Sequence, residues 1–360
     1  ADILQERGKL DEALKIREEE ELPVYEEIGE LRVAARTFLQ IADLKEKLED
    51  PSSALEDLRR ASEIIPAEHV KDSAIFQSRI ADILEGQGQL AEALKIREEE
   101  ELPVYEALGD DWALLVALDR AADLSQRLGR LAQASTLRNG IERNGVDQFG
   151  ELWAALLKGK QAWLELLKGH VEGVQRTFVE IELPAYEKAE KTAWIALTQA
   201  KIAWVEVRLG ETAEAALQRA TAALTQVEEM SAADQESVTK AHLYFAEMEL
   251  LAGRHDDVIA RVKHEILPRL AVKPNLGNRL IAEALLAIAH LHNGNSCDFS
   301  SVLEDLVRAQ STGDTLPTAW WNLAAALSCI DKDARATYLE AAEAGFSVQG
   351  RPGWVARFQD

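Results

Sequence analysis

Acidic and aromatic side chains recur in this chain in one register. Asp2, Asp43, Asp82 and Asp123 stand about 40 residues apart, and the same register then carries Trp163, Trp204, Glu247, Ile288 and Ala325. A row of carboxylates accepts hydrogen bonds from peptide N–H groups and pairs with Lys or Arg. Tryptophan offers a large apolar contact at low entropy cost and is enriched where proteins grip partners. Neighbouring positions follow the same trend, with Arg36, Glu46, Ser78, Glu85 and Asp119 early and Leu156, Leu166, Leu167, Val207, Leu243 and Trp321 late. Two structural roles compete with binding. Aspartate can cap or bridge adjacent helices, and tryptophan can fill a seam between them.

Catalytic arrangements are missing from the sequence. It contains no GxxxxGK[ST] phosphate loop, no GxSxG elbow, no HExxH and no GxGxxG after a strand. The seven histidines are scattered, and His290 and His292, two residues apart, point to different faces of a helix. Among 63 carboxylates nothing marks a tuned acid–base pair. The expectation is a binding protein and not an enzyme, with no metal and no cofactor.

A net charge of -23 repels phosphate backbones and anionic lipid, so the expected partner is neither nucleic acid nor membrane. A protein or peptide with basic and apolar residues fits better, although acidic charge also serves solubility alone. The Glu18–Glu21 and Glu98–Glu101 runs read as solvated helix faces, with Lys15–Glu19 and Arg17–Glu21 pairs at i,i+4 spacing and the same pairs 80 residues on. Cys297 and Cys329 form no disulfide framework, which together with the lack of a signal segment points to a cytoplasmic protein. The chain opens at Ala1 inside a helical pattern, as a fragment of something longer would.

The elements that must position these side chains are helices. Ala, Leu, Glu, Gln and Arg dominate long stretches, and β-branched or aromatic runs are missing. Ala1–Gly29 matches Ala81–Gly109, both containing Ala-Leu-Lys-Ile-Arg-Glu-Glu-Glu-Glu-Leu-Pro-Val-Tyr-Glu, and a weaker copy begins at Ala42. The unit is therefore about 40 residues. Its turn residues align as Gly8, Glu49, Gly88, Gly129, Gly169, Gly210, Gly253, Gly294 and Asp331. Seven positions earlier every copy has alanine, from Ala1, Ala42 and Ala81 to Ala324, and five positions later the residue is mostly small. Small side chains let two helices of a hairpin approach, and glycine supplies the left-handed turn between them. Pro23, Pro103, Pro184 and Pro268 each follow a leucine in alternate units, where they should kink or restart the second helix.

An alanine seven before a turn glycine and a small residue five after it resembles the tetratricopeptide repeat signature. The longer unit is similar to the variety in kinesin light chains and bacterial signalling proteins. The resemblance implies an all-α fold, a right-handed superhelix of about nine helix pairs, with residues 1–315 as the array and 316–360 as the last pair and a C-terminal cap. It also implies that first helices line a concave groove and that the residue six before the turn faces the ligand. On that basis Asp43, Asp82, Asp123, Trp163, Leu167, Trp204, Arg208, Leu243 and Trp321 are the expected partner-binding residues. The implied function is a protein-interaction scaffold. The alternative is a regulatory module of a bacterial signalling ATPase or caspase-like protease whose effector domain lies upstream. A small-ligand receptor with a tryptophan pocket is the third possibility.

Overall fold

The computed structural model describes the chain except residues 144–149, 229–233, 273, 296 and 359–360, together with the side chains at 223 and 226–228. Among the described residues every regular element is helical. Two compact units divide the chain, Ala1–Ala121 and Ala122–Asp360. The first unit holds α1 (Asp2–Glu6), α2 (Leu10–Ile16), α3 (Leu22–Glu27), α4 (Leu31–Lys47), α5 (Pro51–Ile64), α6 (Val70–Gly86), α7 (Leu90–Ile96) and α8 (Leu102–Leu108). Helix α9 (Asp111–Arg127) carries the chain into the second unit. That unit continues with α10 (Leu131–Arg143), α11 (Glu151–Leu167), α12 (Val174–Thr177), α13 (Leu183–Lys188), α14 (Thr192–Arg208) and α15 (Ala213–Glu228). After these come α16 (Gln235–Leu251), α17 (His255–Arg261), α18 (Leu267–Val272), α19 (Leu276–His292), α20 (Phe299–Thr312), α21 (Thr315–Ser328) and α22 (Lys332–Val348).

The aligned turn residues end the first helix of each hairpin. Gly8, Gly88, Gly129, Gly169, Gly210, Gly253 and Gly294 all have positive φ, and Glu49 shares the conformation at φ 63° despite its side chain. At Gly88 the chain reverses with Gly88 N–H donating to Glu85 O and Gln89 N–H donating to Leu84 O. Those two bonds form the Schellman closure that satisfies the last carbonyls of a helix. Asp331 does not belong to the series. Its φ is -72°, and its carboxylate accepts from the N–H groups of Asp333 and Ala334 as the N-cap of α22.

Seven first helices, α4, α6, α9, α11, α14, α16 and α19, are each 17 residues long. Their alanines seven before the turn are buried from Ala42 to Ala246, as are Leu44, Ile83, Leu124, Leu164, Val205 and Met248 beside them. Ile3, at the N-terminal edge, is exposed instead. In the second unit α14 packs on both α15 and α16, α16 on α19, α19 on α21, and α21 on α22.

The alternate-unit prolines do not break their helices. Ahead of each lies a five-residue π turn, at Arg17–Glu21, Arg97–Glu101, Phe178–Glu182 and Val262–Ile266. Leu22, Leu102, Leu183 and Leu267 donate to the carbonyl five residues back. Changing the ladder from four to five forfeits one bond, and proline, which has no N–H, stands where that bond is lost.

Candidate partner-binding face

Asp43, Asp82 and Asp123 sit near the C-terminal ends of their helices and Asp2 opens α1, and each already has an intramolecular cation. Arg97 Nη2 donates to Asp82 Oδ1 at 2.5 Å, from fifteen residues further along. Arg17 meets Asp2 and Arg138 meets Asp123 at the same separation. These three guanidinium groups are buried, so the carboxylates are counter-ions the fold requires. Asp43 has Leu58 at that offset and takes Arg79 of the next first helix instead, at 2.6 Å. Arg79 also bonds to Glu46 and lies 3.7 Å from Asp82. Lys160 Nζ reaches Asp123 at 2.7 Å. Burial works to raise the Asp123 carboxyl, but Lys160 and Arg138 outweigh it and hold the group below the usual carboxylate range.

The ladder changes chemistry in pairs. Where Trp163 replaces aspartate, Phe178 replaces the arginine, and the two ring centroids lie 6.4 Å apart. Glu182 occupies the place of Glu101, whose partner is Arg97 at 2.8 Å. Without that arginine, Glu182 accepts from Lys201 Nζ at 2.7 and 2.8 Å and from the Tyr186 hydroxyl at 3.0 Å. Burial lowers the Lys201 pKa, opposed by Glu182, and the ammonium lies 4.5 Å from the Phe178 ring centre. Gly159 makes room for this group, since a Cβ there would come within 2.5 Å of the Glu182 carboxyl.

Within the second unit aromatic rings pack against one another. Trp163 lies 5.3 Å from Trp204 and 5.6 Å from Tyr244, and Trp204 lies 5.7 Å from Trp354. Trp354 belongs to the segment after α22, which folds over these helices. There Arg351 directs its guanidinium onto Glu247, with Nη2–Oε1 and Nη2–Oε2 distances of 2.9 and 2.8 Å and an Nε–Oε2 distance of 3.2 Å. Trp204 Nε1 donates to the same carboxylate at 2.9 Å. The guanidinium lies between two rings, 4.7 Å from Trp204 and 5.2 Å from Trp354.

Of the expected partner-binding residues, Asp43, Asp82, Asp123, Trp163 and Arg208 remain partly accessible. Asp43 and Asp82 belong to the first unit, where Asp43, Glu46 and Arg79 line an open pocket of about 500 Å³ with Leu39, Lys47 and Ile75. Trp204, Leu167, Leu243 and Trp321 are buried. Trp204 is 1% exposed and lies with Leu243 and Trp321 in the core of the second unit. Part of the cause is the C-terminal segment, with Arg351 over Trp204 and Gly350 so close that a Cβ would stand 2.9 Å from Leu167. Arg208 ends α14 with its pKa drawn down by burial and by Arg351 and Arg357 nearby. Sequence reasoning assigned Arg351 and Trp354 to an end cap and passed over Tyr244. Their signal was an arginine and a tryptophan three apart in a Gly/Pro stretch.

The glutamate runs are not wholly solvated either. Lys15–Glu19 and Lys95–Glu99 are exposed pairs at 3.8 Å, but Arg97 and Glu101 are both buried. His292 stacks on His255 with ring centres 4.8 Å apart. Among the described residues no helix is long and apolar enough to cross a membrane.

No family model matches this chain. No curated protein matches it either.

Proposed function

We propose that this chain is a tetratricopeptide-like right-handed superhelix of about nine helix pairs that binds a protein segment along its first helices. Eight left-handed turns in one register and seven first helices of 17 residues support the repeat architecture. The observation that carries the binding function is that this face already grips a polypeptide segment. Arg351 and Trp354 project from an irregular stretch onto Trp204 and Glu247. The role is binding and not catalysis, and a net charge of -23 favours a basic partner over nucleic acid or membrane. The same occupied face favours, as a second reading, a regulatory module of a larger signalling protein, in which holding or releasing a segment is the output.

Panning a random peptide library against the immobilised full chain tests the binding role. Enriched peptides should carry Arg or Lys near an aromatic residue and photo-cross-link to α11, α14 or α16. No enrichment, or cross-links confined to the second helices, would contradict it.

A further inference from the structure

The C-terminal segment meets the first helices through the side chains of Arg351 and Trp354 and through Gly350, which packs against Leu167. Arg351 N–H donates to Phe346 O and Gly353 N–H to the Glu343 carboxylate, so the backbone of the segment is tied to α22. Onto α14 and α16 the segment sends one guanidinium and one indole, and Gln349 Nε2 donates to Gln126 O in α9. The guanidinium is buried against an equally buried carboxylate. Such a pair contributes little net stability compared with an apolar substitute of the same shape, because two charges must be desolvated to make it. It does impose selectivity, since a planar fork fits a carboxylate in a way that an ammonium or an apolar group does not.

Resting on the peptide-binding role proposed above, we infer that Trp204 and Glu247 form a recognition site for an arginine three residues before an aromatic residue. Arg351 and Trp354 fill it in cis, and a partner segment of the same chemistry takes it by displacing them. Trp204 supplies a ring face and fixes the carboxylate by its indole N–H, while Glu247 supplies the fork acceptor. Occupation in cis lowers the apparent affinity for any partner by the fraction of molecules in which the site is open.

The probe is a synthetic peptide copying residues 346–358, titrated calorimetrically into the full chain and into full chain carrying Arg351→Ala and Trp354→Ala. The variant should bind the peptide at least roughly tenfold more tightly than wild type, because its own segment no longer competes. A peptide with Arg351→Ala should lose at least that factor, and so should the variant after a further Glu247→Gln. A variant of native helicity that ignores the peptide overturns the inference, and so does wild type binding it equally well. If the double variant loses its helicity, Arg351→Lys, which keeps the charge but not the fork, is held to the same criteria. Library-selected peptides that bind while the copy does not would sink the arginine site and leave the binding face standing. Binding by neither would sink both.

Discussion

Glu49 is the residue at which local conformation and side chain disagree most plainly. It occupies a left-handed turn at φ 63° where seven of the aligned turn residues are glycine. Relieving the contact between Cβ and backbone should make Glu49→Gly more stable by about 1 kcal/mol, seen as a higher urea midpoint. His242 is the residue at which pH should act. Burial, with Arg261 and Arg269 nearby, pushes its pKa down to about 3, and its Nδ1 lies 2.9 Å from Arg261 Nη1. Between about 6.5 and that value the unfolded chain binds a proton that the folded chain refuses. Stability is therefore full above about pH 6.5 and falls with decreasing pH, by about 1.4 kcal/mol per unit for this one site. Urea titrations across that range should show the acid limb, and His242→Gln should flatten it. The left-handed turns were legible in the sequence because glycine is close to a necessity there. The aspartates were legible as a row, but their counter-ions were not. Arg97 lies fifteen residues beyond Asp82 and Arg79 thirty-six beyond Asp43, separations that bring side chains together only once helices have paired.

For the helices, the buried Arg97–Glu101 pair inside a π turn allows a direct test. Removing the cation alone strands a buried carboxylate, so Arg97→Met should cost about 3–5 kcal/mol. Adding Glu101→Leu should recover most of that loss, and calorimetric melts of the single and double variants check both. The π turn itself is one residue inserted into an α-helix, so deleting Glu99 returns the flanking turns to α register. That deletion should lower the melting temperature less than deleting Glu56 from the regular helix α5. The sequence signalled an interruption at each Leu-Pro but not its form. Proline removes one N–H wherever it stands, and whether the ladder kinks or widens is decided by the neighbours it packs against.

At the scale of the whole molecule, the charged-to-apolar change along the repeats is a change of pairs. Asp with Arg gives way to Trp163 with Phe178, and Glu182 finds Lys201 in place of an arginine. All-helical architecture could be read in advance, because Ala, Leu, Glu, Gln and Arg dominate long stretches of the chain. The place of the C-terminal segment could not. Its site is assembled from Leu167, Trp204 and Glu247, which stand on three separate helices, and nothing in the local pattern of residues 349–358 names that destination. The central claim is that the first helices form a face that takes up polypeptide, and it is tested most directly by hydrogen–deuterium exchange of the full chain with and without a library-selected peptide. Bound peptide should slow exchange in α11, α14 and α16 while residues 349–358 exchange faster. Slowing confined to α12, α15 and α17, with residues 349–358 unchanged, would contradict the account.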